Sequence, residues 1–235
     1  MKPLSFRNSH NFLEFINPNT SHISHNVNAI MSTNYSNAVD FQDKEALVSW
    51  LVRLEDETWP EGTRAEGEAF ESRIKIFPEW VFSHQENNDF WGLSTSLVTQ
   101  IVDPNNIDSW EDITDYGMIR NHNPNWNALY VVSVGVSPRF QGKGIGKELV
   151  TYQIGLAEKL WLEYMILWSR VPEFHKFAGS IEDYLSQKNE KWKSIDSLVR
   201  FYQGCGLEIG KIKSNYMEDD KESRNYGVIM YKKLR

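Results

Sequence analysis

The stretch DFQDKEALVSWLVRLEDETW, from Asp40 to Trp59, places Leu47, Leu51 and Leu54 at helical spacing behind a run of acidic residues. Three leucines then share one face, and the acidic residues suit the positive end of a helix. TRAEGEAFESRIKIF repeats the logic with Phe70, Ile74 and Phe77, and Pro78 stops it. The period then changes: WVFSHQ and FWGLSTSLVTQI are rich in β-branched and aromatic residues, and the turn-forming ENND between them predicts an antiparallel hairpin. Residues 102–127 read as a long loop, a rarity in a compact domain unless it has a use.

ALYVVSVGV predicts a buried strand, and a helix follows from about Ile145 to Leu162 with Ile145, Leu149, Tyr152, Leu156 and Leu160 as its apolar stripe. YMILW, Tyr164 to Trp168, is the next strand, so a strand–helix–strand unit of parallel pairing is expected at the centre. Residues 171–194 are polar, with a short helix near IEDYLSQ. SIDSLVRFYQGCG predicts a helix capped by Ser194 or Asp196 and ended by glycine. LEIGKIKSNY and YGVIMYKKL, joined by the charged MEDDKESRN, predict a closing hairpin. The fold class expected is α/β of the α+β kind: a central, mixed, mostly antiparallel twisted sheet with helices on both faces.

Residues 1–37 offer little repeating apolar surface, being rich in Asn, Ser and His. They are expected to be a loosely held extension, with one domain over 38–235. His10, His22 and His25 in that extension lack an acidic or cysteine partner at ligand spacing, and no metal is expected. No apolar run approaches the roughly 20 residues that span a bilayer, and no signal peptide is evident, so no membrane association and a cytoplasmic location are expected. The single cysteine, Cys205, excludes an internal disulfide and a cysteine-based zinc site. A net charge of −7 argues against general nucleic-acid binding and would attract a cationic substrate such as an amine. Nine Trp leave room for a homodimer through an aromatic surface.

Against that acidic background, SVGVSPRFQGKGIGKELV stands out. A strand feeding a glycine-rich turn that becomes a helix presents unpaired N–H groups and the positive dipole end, which makes an anion site. Gly142, Gly144 and Gly146 remove side chains that would keep a phosphate off the backbone, while Arg139, Lys143 and Lys147 add positive charge. A pyrophosphate is the expected ligand. The spacing fits neither a Rossmann turn nor a P-loop. A nucleotide-binding domain is further weakened because no ribose-holding acidic residue follows on a neighbouring strand.

The pattern Gln141-x-x-Gly144-x-Gly146, preceded by Val136, Pro138 and Phe140, resembles the acyl-CoA loop of the GNAT superfamily of N-acyltransferases. FYQGCGL, residues 201–207, is similar to that superfamily's later helix-to-strand motif. WEDITDYGMIRNHNPNWNALY, RVPEFHKFA and NYMEDDKES resemble more closely the GNAT module that some bacteria fuse ahead of a nitrilase-type amidohydrolase. The sequence ends at Arg235, ahead of where that half would begin.

The resemblance implies that the backbone of Gln141, Gly142, Lys143, Gly144, Ile145, Gly146 and Lys147 holds the pyrophosphate of acetyl-CoA as co-substrate. Val134 and Val136 would offer main-chain groups to the pantetheine arm. It implies an N-acetyltransferase working by direct attack of a primary amine, on a small molecule or a protein, with Tyr202 where many members keep a general acid. Tyr202 could equally pack beside Phe201 and Leu198, and Cys205 is a packing residue before it is a nucleophile. ALYVVSVGV carries neither carboxylate nor imidazole, so the base must come from elsewhere or act through water. His175 and Glu173, just after the strand ending at Trp168, are the catalytic candidates; His122 and Asp115 in the long loop are further ones, and Arg170 is a candidate for substrate contact. Tyr116, Arg120 and Trp126 either line the acceptor pocket or anchor the loop. The competing reading is a non-catalytic acyl-CoA-binding regulatory module that kept the loop and lost a base.

Overall fold

The computed structural model describes residues 35–78, 82–86, 89–217 and 219–235. Most of the expected extension, with His10, His22 and His25, lies outside these residues. Tyr35–Asn37, grouped with that extension by composition, is strand β1, hydrogen-bonded to the edge of the sheet.

Helix α1 (Lys44–Thr58) starts at Asp43, whose carboxylate accepts the Ala46 N–H at 2.9 Å, and it buries Leu47, Leu51 and Leu54. Helix α2 (Gly67–Ile76) buries Phe70 and Ile74 beside it. The hairpin β2 (Phe82–Glu86) and β3 (Asp89–Thr99) follows, then a short α3 (Trp110–Thr114), β4 (Ala128–Val136), α4 (Ile145–Lys159) and β5 (Tyr164–Arg170). A short α5 (Ile181–Ser186), α6 (Ser197–Gly204) and the hairpin β6 (Glu208–Lys213) and β7 (Gly227–Lys233) close the chain. Asp196, not Ser194, caps α6, accepting from the amides of Leu198 and Val199 at 3.0 Å each.

Among the described residues seven strands run in the order β1-β2-β3-β4-β5-β7-β6, with β4 and β5 parallel and the other neighbours antiparallel. Helices cover both faces. Thr95 of β3 meets Arg73 of α2 at 3.2 Å, while Ser94 and Ser96 each bond Gln153 of α4 at 3.0 Å; alternate strand residues point to opposite faces. Gln153 explains a departure from the expected stripe on α4. Its amide is fully buried because the two serines satisfy it, and the inward face is Ile145, Leu149, Val150, Gln153, Ile154, Leu156 and Ala157. Tyr152 and Leu160 are left half-buried.

Two irregularities of β4 open the sheet. Thr95 pairs with Ser133 and Ser96 with Val131, so Val132 is an extra residue, a bulge. Its carbonyl accepts the indole N–H of Trp110 at 3.1 Å. The pairing with β5 covers Ala128–Tyr130 against Tyr164–Ile166, and beyond it the two strands part.

The long loop 102–127 is tied down along its length. Asn127 bonds both the N–H and the carbonyl of Ile101, at 2.9 and 2.8 Å. His122 Nδ1 accepts the Val98 N–H at 3.0 Å, with its ring 3.8 Å from that of Phe77.

Candidate active site

A cleft of about 480 Å³ runs from the start of α4 to the gap between β4 and β5. One end is the glycine loop: Gln141, Gly142, Gly144, Ile145, Gly146 and Lys147 line it. Gly142 and Gly144 adopt φ of +78° and +89°, backbone that other residues enter at a cost. Gly146 serves a different need, since a Cβ there would lie 3.3 Å from Phe201 of α6, so its absence lets the two helices close on each other. The N-cap of α4 is Gly144, with no capping side chain, so the first amides of a fifteen-residue helix are left for an anion. Gln141 folds back to donate to the Val136 carbonyl at 3.1 Å, which steadies the loop.

The middle of the cleft is Val134, Gly135 and Val136 of β4, with Leu198 and Phe201 of α6 opposite. Its far end is Thr58, Trp59, Trp168, Arg170 and Tyr202. A Cβ on Gly135 would come within 2.8 Å of the Thr58 hydroxyl, so this glycine admits the end of α1 to the cleft floor. The Trp59 indole N–H is buried without a partner among the described residues. Tyr202 is 6% exposed, and burial raises its phenol well above the ordinary range, so it stays protonated.

Of the residues expected from sequence, the loop, Val134, Val136 and Tyr202 come together here. Glu173 and His175 do not line the cleft. Glu173 accepts from the backbone N–H of Ser197 at 2.7 Å and from its hydroxyl, joining Asp196 at the start of α6. Burial pushes Glu173 up, but those bonds outweigh it and leave its carboxyl below the usual range. The partner carboxyl of Asp196 is raised to about 6, chiefly by burial. His175 Nδ1 faces the carbonyls of Pro172 and Glu222 at 2.8 and 3.2 Å. Glu173 thus holds the start of the helix that carries Tyr202, whereas His175 lies against the segment that joins β6 to β7.

In the long loop, burial drops His122 to about 4, and Asp115 is paired with Arg120. Cys205 lies outside the cleft lining, and burial pushes its thiol up to about 11. Arg170 is held by Asp220 through two bonds of 2.7 and 2.6 Å, and by Glu222 at 2.9 Å. Trp59 and Thr58 were not legible as site residues; the Trp-Pro step at the end of the first helix is the one signal that marks that turn. Among the described residues no cluster of His, Cys, Asp and Glu could hold a metal, and no helix is long and apolar enough to cross a membrane.

Behind the floor, Glu55 of α1 is 2% exposed. It accepts the Ala65 N–H at 3.2 Å and lies 3.5 Å from the Ser133 hydroxyl. Burial pushes it up to about 7 against the pull of Arg73, which is 1% exposed and itself lowered to about 10 by burial.

The uncharacterized N-acetyltransferase YkwB of Bacillus subtilis is 34% identical over 192 residues, covering 79% of this chain and 84% of that protein. The acetyltransferase (GNAT) family pattern matches residues 113–176, from α3 to the turn after β5. The chain belongs to the GNAT family of acetyltransferases. A second relative of this GNAT chain, the probable hydrolase YhcX of the same organism, is 28% identical over 189 residues, and the chain spans 37% of its length. That accords with the expected kinship to a GNAT module joined to a hydrolase. The GNAT fold itself is shared with the loading GNATL domain of CurA from Lyngbya majuscula, at TM-score 0.74, 20% identity and 85% and 97% coverage of this chain and that one. It is shared also with the GphF GNAT-like decarboxylase, solved with isobutyryl-CoA, at TM-score 0.69, 21% identity and 86% and 99% coverage.

Proposed function

We propose that the protein is an acyl-CoA-dependent N-acyltransferase that moves an acetyl group from acetyl-CoA to a primary amine by direct attack. The observation that carries this reading is one continuous cleft with an anion-binding helix end at one limit and a buried, protonated Tyr202 at the other. The amides of Gly142 to Lys147 and the α4 dipole hold the pyrophosphate. Val134 to Val136, on a strand already parted from β5, offer backbone groups to the pantetheine arm. The thioester then lies beside Tyr202.

The neutral amine attacks the thioester carbon, and the C–S bond breaks as the amide forms. The departing sulfur takes the Tyr202 proton, and the proton released by the amine nitrogen makes good that loss directly or through water. Because burial raises the Tyr202 pKa, its proton moves only as charge builds on sulfur. The Trp59 indole N–H is a free donor for an oxyanion at the same end. A depression lined by Glu61, Asp219 and Lys221, together with Asp220 and Glu222 that hold Arg170, adjoins that end where Pro60 follows Trp59, and its excess of carboxylates favours a cationic acceptor.

Among the described residues no carboxylate or imidazole lines the cleft, and this favours the second reading, a non-catalytic acyl-CoA-binding module. Calorimetric titration with acetyl-CoA, followed by thiol release on adding a panel of amines, separates the two. Binding with release supports the transferase, and binding with no release from any amine supports the module. Tyr202→Phe should cut turnover about 100-fold, as loss of a general acid does, with acetyl-CoA affinity held within about twofold. Unaltered turnover would reduce Tyr202 to packing.

A further inference from the structure

The far end of the cleft has Arg170 in its wall. Its Nε and Nη2 donate to Asp220 at 2.7 and 2.6 Å, and Nη2 donates also to Glu222 at 2.9 Å. Nη1, by contrast, meets no acceptor among the described residues. The Arg170 side chain is 11% exposed, that of Asp220 is 0% exposed and that of Glu222 is 54% exposed. Ser223 clamps the group: its N–H donates to Asp220 at 3.2 Å, and its buried hydroxyl accepts the Val171 N–H at 3.0 Å. Burial alone would lower Arg170 and raise Asp220, but the bonds between them outweigh it, so both are charged. The ring of Trp59 lies 5.9 Å from the guanidinium, and Trp168 is fixed by its indole bond to the Asp108 carbonyl at 3.3 Å and by Tyr216, 4.9 Å away.

Two carboxylates thus answer one guanidinium. A carboxylate brought to Nη1 would shed water for a site that is already negative, whereas an uncharged group meets no such repulsion. The neighbours do not reverse the sign: Glu61 and Asp219 share the adjoining depression with Lys221, and Lys213 stands 6.0 Å from the Trp168 ring, so four carboxylates face three cations. Asp220 is enclosed and holds the end of β5, but Glu222 is at the rim, and Arg170 is the one partner of its side chain among the described residues. We infer that Glu222 decides the charge of the acyl group: with it in place Arg170 is masked and an acyl group ending in a carboxylate is refused, and without it Nη1 is open to such a group. This rests on the acyl-CoA reading of the cleft and adds the class of acyl donor, one whose acyl group carries no negative charge.

The test is competition calorimetry of the whole chain with acetyl-CoA, malonyl-CoA and acetoacetyl-CoA, the last matching malonyl-CoA in size without its carboxylate. Wild type should bind acetoacetyl-CoA more tightly than malonyl-CoA by about tenfold, the effect of one net charge at several ångströms in a half-buried site. Glu222→Gln should bring that ratio within about twofold of unity, and Glu222→Asp, which keeps the charge, should restore most of it. Asp219→Asn, which removes a carboxylate from the same depression without touching Arg170, should leave the ratio within about threefold of the wild type. Both positions are exposed, and thermal melting checks that each variant is folded. Equal binding of malonyl-CoA and acetoacetyl-CoA by wild type would overturn the inference, as would a ratio unmoved in Glu222→Gln. An equal shift in Asp219→Asn would make the effect a general field and remove the role of Glu222. Refusal of both larger groups where acetyl-CoA binds would make size the filter and overturn the inference too. Wild type that binds none of the three would instead refute the acyl-CoA reading itself.

Discussion

Replacing Glu55 by Gln tests how the α1 side of the cleft is charged. Glu55 is a buried carboxyl raised from 4.5 to about 7, with burial the larger influence and Arg73 opposing it. Folding therefore favours its protonated form; that stabilisation is complete below pH 4.5 and is lost as pH rises through 7. At about 1.4 kcal/mol per pH unit, the climb is worth about 3 kcal/mol. Gln has the shape of the protonated acid and does not titrate. At pH 4.5 both proteins leave Arg73 without a charged partner, and their stabilities should match closely. At pH 8 the wild type carries a buried carboxylate and the variant does not.

Urea unfolding of both proteins from pH 4.5 to 8 gives the difference directly, because every other titrating group cancels in it. The difference should move by about 3 kcal/mol in favour of Glu55→Gln over that range. A flat difference, or one that moves toward the wild type, would mean that the Arg73 charge outweighs burial and Glu55 is ionised throughout. A buried ion pair would then stand behind β4, and removing one partner would be costly at neutral pH.

Two other substitutions probe the loop and the far end of the cleft. Gly144→Val should eliminate acetyl-CoA binding by calorimetry while lowering stability by about 1–2 kcal/mol, the cost of left-handed backbone; a Cβ added there meets nothing of the protein within 4 Å, so a collapsed fold would contradict this. Asp220→Asn keeps the shape of a fully buried carboxylate but removes the charge that two Arg170 bonds hold. A loss of about 3 kcal/mol is expected in urea unfolding at pH 7. Burial alone would raise Asp220, but the bonds from Arg170 and Ser223 keep it below the ordinary 3.8. Its contribution is therefore present above that value and lost as pH falls through the folded one, so the variant should show a shallower acid transition.

The fold was legible wherever one period held over a whole element. Leu47, Leu51 and Leu54 share the buried face of α1 as their spacing requires, and the β-branched runs pair as hairpins. The reading slipped where a polar residue is satisfied inside: Gln153 turned the buried face of α4 because Ser94 and Ser96, some sixty positions earlier, complete its hydrogen bonds. The anion loop was legible because backbone chemistry depends on glycine spacing, which a sequence displays directly. Glu173 and His175 follow the strand that borders the cleft, yet Glu173 braces the start of α6 and His175 faces the last hairpin, since chain direction after Arg170 is set by Asp220 and Glu222 from that hairpin. Thr58 and Trp59 reach the cleft because Gly135 lets α1 approach β4, a meeting of residues far apart in the chain that no local pattern announces.

The brief parallel seam, Ala128–Tyr130 against Tyr164–Ile166, divides the sheet into a four-stranded plate of β1 to β4 and a three-stranded plate of β5 to β7. Few backbone bonds must break for the plates to swing apart, and the gap beyond the seam is the cleft itself. Whatever lies across that gap acts as a splice. Occupancy should therefore register as stiffness of the whole sheet, with amide exchange slowing in β3 and β7, the outer neighbours of the two strands that flank the gap.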